Sequence, residues 1–462
     1  MKKKLLVLLL VAASFQKVSA QRVAPFKAGD RVVFVGNSIT DGGHYHSYIW
    51  LYYMTRFPNQ RITCLNAGIG GDVVEQIYNR FDTDVLTKKP TVLTLTWGMN
   101  DTGYFEWYRA NAQDTMKSKL ERSFHYYHLL EQKLKQRLDI RKIVILGSPY
   151  DETTKFTTKN LYPHKAEALG KVVDFQEQAA KANGWPVVDF YHPMLAMDKK
   201  GQATDSTFSL TPNDRIHPDN DGHMVMTYLF LKAQGFENKP VAVINLNAKS
   251  GRLEKAENCS INGISKTSNG ISFNYLAAAL PYPVDTEPRG WGNRKSQSEA
   301  LKLVPFTKEF NQETLRIAGL PQERYDLLID GEKMGTYTNN ELAAGVNMAE
   351  ITRTPQYQQA EVVMALNEER WDIERRLRNY AWMEYDFLKD KGMLFKDNYA
   401  AMDSVNKYAP KNPFINGNKD TYTRARFATV RNAWQKEQDL LTDEIYTINK
   451  PKQHKIALIA VK

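Results

Sequence analysis

Ser38, Asp214 and His217 are residue types that together can carry nucleophilic catalysis. Ser38 lies in Val32–Asp41, which reads Val-Val-Phe-Val-Gly-Asn-Ser-Ile-Thr-Asp. Val32 to Val35 have the composition of a strand buried on both faces. Gly36 permits a sharp turn that a side chain would obstruct. A serine held on such a strand-to-helix turn exposes its hydroxyl while nearby backbone amides can face a developing oxyanion. Gly-x-Ser alone reads equally well as a polar turn, and Thr40 stands where a Gly-x-Ser-x-Gly elbow would have its second glycine. Thr40 and Asp41 offer N-caps for a helix a few residues on. In Asp214-Arg215-Ile216-His217-Pro218, an aspartate three residues before a histidine can hold one imidazole nitrogen while the other faces a serine. A helix-capping Asp beside an exposed His is the alternative. Metal ligation helped by His223 lacks a second carboxylate or cysteine at ligand spacing.

Two other stretches carry donors. Asn66-Ala67-Gly68-Ile69-Gly70-Gly71-Asp72 lets backbone approach a ligand, and Asp72 can cap the next helix. It lacks the spacing of a dinucleotide fingerprint and the Lys-Ser/Thr of a P-loop. In Trp97-Gly98-Met99-Asn100-Asp101, Asn100 can offer its side-chain amide to an oxyanion or simply make an Asx-turn. The elements that must position these stretches alternate. Strand-like runs occur at Val32–Val35, Ile62–Asn66, Thr91–Trp97, Lys142–Gly147 and Pro186–Phe190. Helical patterns lie between them near 46–56, 73–86, 114–137, 163–183 and 220–234. Five βα units predict a parallel sheet with helices on both faces. Right-handed crossovers put every strand's carboxyl end, and all four stretches, on one edge.

On these four stretches the chain resembles the SGNH, or GDSL-type, hydrolase family. Gly36-Asn37-Ser38 matches its first block, Gly68–Gly71 its glycine block, Gly98–Asp101 its Gly-x-Asn-Asp block and Asp214–His217 its final Asp-x-x-His block. The resemblance covers about residues 28–236. It implies a three-layer α/β/α, flavodoxin-like domain and ester hydrolysis through an acyl-enzyme, with no metal or other cofactor. By position, Ser38 is then the nucleophile, His217 the general base and Asp214 its orienting carboxylate. The oxyanion hole would be the Ser38 amide, the Gly71 amide and the Asn100 side chain. Asn37 departs from the family's usual aspartate at a place outside the triad.

Composition sets wider bounds. At 462 residues, 42% hydrophobic and 25% charged, the chain is an ordinary globular one with room for two or three domains. Lys2–Lys4, an apolar run from Leu5 to Phe15 and Val18-Ser19-Ala20 form a signal peptide over 1–20, so export to the periplasm or beyond is expected. No later stretch reaches membrane-spanning length. The formal charge of +10 includes four lysines and no acid in the first twenty residues, so the remainder carries +6. That mild excess permits an acidic polysaccharide partner, and no basic, aromatic-interleaved patch points to nucleic acid. Nothing indicates an obligate protein partner. Cys64, within a buried strand, reads as a free core thiol, although export would allow a bridge to Cys259.

The catalytic unit is expected over 21–238. Residues 239–350 read as a β-rich accessory region, with runs at Ser260–Gly263, Gly270–Tyr275 and Tyr325–Ile329. Asp330-Gly331 after the last run is a hairpin signal. Residues 351–462 read as a helical hairpin, with helical period in 355–390 and 422–446 and a loop over Asn398–Asp420. Its first stripe runs through Val362, Leu366, Ile373, Leu377, Ala381 and Leu388. No internal repeat or low-complexity tract occurs. Tyr104 and Trp107, close after Asn100, are candidates to contact a sugar face or acyl group, against the alternative of ordinary packing. His44 and His46 either rim the site or stand exposed. Export, the accessory region and the aromatics together point to O-acetylated carbohydrate as substrate. Lipid-ester hydrolysis and a carbohydrate-binding protein without turnover are the alternatives.

Overall fold

Five parallel strands form the sheet that carries the site: β1 (Arg31–Gly36), β2 (Thr63–Gly68), β3 (Val92–Leu95), β4 (Arg141–Leu146) and β5 (Val187–Asp189). Their order is β2-β1-β3-β4-β5, the flavodoxin-like winding, and the strand order reverses at β1 and β3. The computed structural model describes residues 22–290 and 292–461, and the expected export segment at 1–20 lies outside the described residues. Val32, Val33, Phe34 and Val35 are all buried, as the β-branched run requires. The sheet's helices are α1 (Ser38–Asp41), α2 (Tyr45–Arg56), α3 (Val74–Arg80), α4 (Ala112–Gln136), α5 (Lys165–Asn183), α6 (Tyr191–Gln202) and α7 (Asn220–Ala233). The sequence pattern does not show α1, which is one turn long, or α6.

All twelve residues of α2 are buried. A helix apolar and aromatic all round has no solvent face, and α2 is covered on its far side by the C-terminal part of the chain. Asn367 donates to the Ser47 hydroxyl at 2.8 Å, the Trp50 indole donates to the Tyr446 hydroxyl at 3.3 Å, and the Arg370 guanidinium lies 4.4 Å from the Trp50 ring. His44 and His46 are therefore fully buried, a correction to both expectations for them. Burial, the largest influence, lowers the His46 imidazolium from 6.5 to about 4. Between those values the unfolded chain takes up a proton that the folded chain refuses, so stability is full above pH 6.5 and falls as pH drops toward 4. At about 1.4 kcal/mol per unit the loss reaches about 3 kcal/mol. Melting temperature should fall across that window, and more shallowly in His46→Gln. Equal slopes would contradict the assignment.

Among the described residues the β-rich region holds nine strands: β6 (Ala242–Asn247), β7 (Arg252–Glu257), β8 (Cys259–Thr267), β9 (Gly270–Ala277), β10 (Glu313–Ala318), β11 (Arg324–Ile329), β12 (Glu332–Thr338), β13 (Val346–Asn347) and β14 (His454–Ala460). They form two sheets, β13-β10-β6-β7 and β12-β11-β14-β9-β8, around a shared core that includes Ile244, Leu315, Phe273, Leu327 and Ile456. Asp330 (φ 52°) and Gly331 (φ 88°) make the β11–β12 turn, as a two-residue hairpin of this hand requires. The expected helical run to 462 is corrected by β14, which returns between β9 and β11. Cys64 and Cys259 are both free thiols.

The helical part is built on Pro355–Trp382 and Ala428–Ile448, which pack against each other. Asn398–Asp420 is not the expected loop but includes helix Tyr399–Tyr408 and most of helix Pro413–Ala425. Asn398 and Asn412 cap these helices, and Pro413 starts the second. On Pro355–Trp382, Val362 is exposed, and the buried face includes Val363, Asn367, Arg370, Glu374 and Arg378. Among the described residues no helix is long and apolar enough to cross a membrane.

Candidate active site

β1 ends at Gly36, where a Cβ would lie 2.2 Å from the Thr40 hydroxyl, so only glycine fits the turn. Asn37 caps α1, its side-chain Oδ1 accepting the Ile39 N–H at 3.0 Å. Ser38 therefore begins a helix, half-buried. Thr40 and Asp41 are not the caps expected. Thr40 shares a hydrogen bond with the Tyr45 hydroxyl at 3.0 Å, and Asp41 accepts the Gly70 N–H at 3.1 Å.

From the other end of the domain, His217 brings Nε2 to 2.7 Å from the Ser38 hydroxyl. Its Nδ1 lies 2.6 Å from Asp214 Oδ2, while Asp214 Oδ1 accepts the N–H groups of Ile216 (3.0 Å) and His217 (2.9 Å). Burial works to raise the Asp214 carboxyl. The hydrogen bonds and charge of His217, with the two backbone donors, outweigh it and hold the carboxyl below its usual range. The cap of α7 is Asp219, not Asp214. Arg215 sits between them at φ 68°, a conformation that costs roughly 1–3 kcal/mol for a residue with a side chain. Its buried guanidinium donates to the carbonyls of Asp151 (3.0 Å), Lys159 (3.1 Å) and Thr157, which ties the Asp214–His217 loop to the loop after β4. The sequence pattern gives Arg215 no role.

Donors gather on the opposite side. Among the described residues no protein group accepts the N–H of Ser38 or of Gly71, which has φ 93°. Asn100 donates one amide hydrogen to the Asp72 carbonyl at 2.8 Å, and its second remains for a ligand. The Tyr104 hydroxyl donates to the Asn100 carbonyl oxygen and so sets which way the amide points. Tyr104 thus touches Asn100, a role different from the one expected. Trp107 is a correction: it is buried and its indole donates to the Thr102 carbonyl at 3.1 Å. Lys165, unremarked in the sequence, anchors this loop. Its ammonium donates to Met99 O (2.6 Å), Thr102 Oγ1 (2.7 Å) and Gly103 O (2.7 Å) and lies 3.9 Å from the Tyr104 ring. Burial lowers it to about 7.

The glycine block is gripped by the helical part. Glu374, Arg378 and Trp382 stand at i, i+4 and i+8 on one helix face. Glu374 accepts the Asn66 N–H at 2.8 Å, Arg378 donates to the Gly68 carbonyl at 2.9 Å, and the Trp382 indole donates to the Gly70 carbonyl at 3.0 Å. Arg378 also pairs with Asp84 at 2.9 and 3.0 Å. Asp72 is not a helix cap, another correction: it accepts from Arg80 at 2.7 Å. A cavity of about 120 Å³ opens beside Ser38 and His217, bordered by Gly42, Gly43, Asn213 and, from the β-rich region, Asn293. His223 is buried. Among the described residues no three His, Cys, Asp or Glu side chains are grouped to hold a metal.

Comparison with known proteins gives these likenesses. Residues 34–225 match the GDSL-like lipase/acylhydrolase family, and residues 361–450 match the diltiazem deacetylase C-terminal helical domain. A gut microbial diltiazem-metabolizing enzyme of known structure is 47% identical, with a TM-score of 0.92 over 96% of this chain and 100% of that one. An acetylxylan esterase of Geobacillus stearothermophilus is 24% identical over 229 residues, 46% of this chain and 96% of that protein.

Proposed function

The chain belongs to the SGNH, or GDSL-type, hydrolase family as an esterase, and from that premise we propose that it removes acetyl groups from hydroxyls of carbohydrate through an acetyl-enzyme on Ser38. In this reading 21–238 is the catalytic unit, extended by the β-rich region and the helical part, and the protein is exported. The observation that carries the chemistry is the continuous chain from Asp214 Oδ2 through both imidazole nitrogens to Ser38 Oγ, at 2.6 and 2.7 Å.

Asp214, held ionised, keeps the His217 proton on Nδ1 and leaves a lone pair on Nε2. Nε2 takes the hydroxyl proton as Ser38 Oγ attacks the acetyl carbonyl. Negative charge moves to the carbonyl oxygen, where the N–H groups of Ser38 and Gly71 and the free amide hydrogen of Asn100 stabilise it more than they stabilise the ground state. The tetrahedral intermediate collapses, and His217 returns the proton to the leaving alcohol. Water then repeats the cycle and releases acetate. Acetyl chemistry is also in the name of the matched helical-domain family, a diltiazem deacetylase domain, and of one relative, an acetylxylan esterase.

The test measures the acid released: acetate from a panel of O-acetylated glycans and from butyl acetate, and fatty acid from a long-chain lipid ester. The account expects release from at least one glycan and from butyl acetate, all of it lost in Ser38→Ala. Release from the lipid ester alone would overturn the carbohydrate assignment and leave the chemistry standing.

A further inference from the structure

Trp382 comes from outside the catalytic sheet and packs on the glycine block beside the serine turn. A methyl group placed on Gly70 would touch both the Trp382 ring (3.7 Å) and Ser38 Cβ (3.9 Å). Only the breadth of a glycine therefore separates the indole from the serine turn. The indole is half-buried, and its neighbours Ala381 and Met383 are buried. Its orientation is fixed by the 3.0 Å bond to the Gly70 carbonyl, and Glu374 and Arg378 fix the helix behind it. Phe414, 61% exposed, continues the surface with its ring 6.2 Å away at 32°. The Asn100 side of the site has a second aromatic group. Tyr104 packs on Tyr162 at 5.3 Å, with the exposed rings of Phe105 and Tyr108 both 5.6 Å from Tyr162.

We propose that Trp382, extended by Phe414, is the platform on which a ring of the substrate alcohol lies, so that the helical part of the chain sets substrate class. The ligand chemistry is a ring with an apolar face, either a pyranose C–H face or an aromatic ring, next to the acetylated oxygen. An indole fixed on a rigid helix loses little freedom on stacking, and ring-on-aromatic contact adds to the area it buries. This proposal rests on the esterase reading above, and its test separates the two.

Binding is measured first in a Ser38→Ala background, where turnover plays no part, with benzyl acetate, acetylated methyl xylopyranoside and butyl acetate as ligands. Adding Trp382→Ala should weaken binding of the ring ester or esters by on the order of tenfold and of butyl acetate by less than about threefold. Trp382→Phe, which keeps a ring and loses the N–H, should stay within about threefold for all three. Which ring ester responds identifies the source of the ring. In the Ser38 enzyme the same selectivity should appear in KM more than in kcat. Phe414→Ala, at an exposed residue, should shift binding in the same direction if Trp382→Ala fails to fold. An equal loss on all three esters would overturn the proposal, because it would make Trp382 a support for the glycine loop alone. No loss on any ester would also overturn it. Absence of Ser38-dependent turnover would count against the esterase mechanism and leave the binding comparison decisive for the platform.

Discussion

His217→Ala should lower kcat on butyl acetate by on the order of 10⁴-fold or more. Among the described residues the base within hydrogen-bond reach of Ser38 Oγ is the His217 nitrogen at 2.7 Å, which gives the proton its path. Ser38→Ala should cost about as much, and the double variant little more, because the two act as a unit. Asp214→Asn should cost on the order of 10³–10⁴-fold. A carboxamide at that place keeps the shape and presents an N–H toward Nδ1, which would favour the tautomer with its proton facing the serine. Folding should be nearly untouched, since the His217 and Asp214 side chains are about a quarter exposed, at 26% and 27%. Steady-state kinetics with melting curves check both halves. A His217→Ala enzyme retaining a tenth or so of wild-type kcat would contradict the role of the base.

Arg378→Met should remove about 3 kcal/mol of stability and, in the fraction that folds, lower kcat. Burial works to raise the Asp84 carboxyl, but Arg378, Lys88 and Arg80 reverse that and hold it well below the usual range. Without Arg378, Asp84 keeps Arg80 at 2.6 Å and Lys88 at 3.4 Å, so its burial is only partly compensated. The Gly68 carbonyl loses its donor at the same time, three residues before the Gly71 amide. Asp84→Asn in the same chain should recover part of the stability, because removing both partners of a buried pair costs less than removing one. It should recover none of the kcat loss that comes from Gly68. Denaturant titration and kcat on one ester separate these effects. A single variant of wild-type stability and kcat would show that the helical part is merely attached to the site.

The parts legible in the sequence are those where residue type and position report the same physics. A strand buried on both faces must be apolar throughout, so Val32–Val35 and its four partners stood out. The structure brings Ser38, His217 and Asp214, from the loops after β1 and before α7, into contact, while Thr40, Asp41 and Asp72 do not take the capping places expected of them. What stayed hidden depended on long-range partners. The helix Pro355–Trp382 meets α2 through Asn367 and Arg370 and the end of β2 through Glu374 and Arg378, and a charged face reads as solvent until its partners are known. The apolar stripe likewise places Val362 in a core, and it is exposed. Asn398, Asn412 and Pro413 read as loop residues, although asparagine and proline also start helices, and here they do. One signal was available: residues 45–56 carry aromatic and apolar groups on every side, which requires cover beyond a single sheet. That cover is the C-terminal part, and with it comes Trp382.

The most direct test of the account is to identify the atom that carries the acyl group. The enzyme would be mixed with excess 4-nitrophenyl acetate, quenched in acid during turnover and digested, and its peptides weighed. The account predicts one added acetyl group on the peptide containing Ser38 and none in Ser38→Ala. Turnover at the wild-type rate in Ser38→Ala, or an acetyl group on another residue that forms and decays at the rate of turnover, would contradict it.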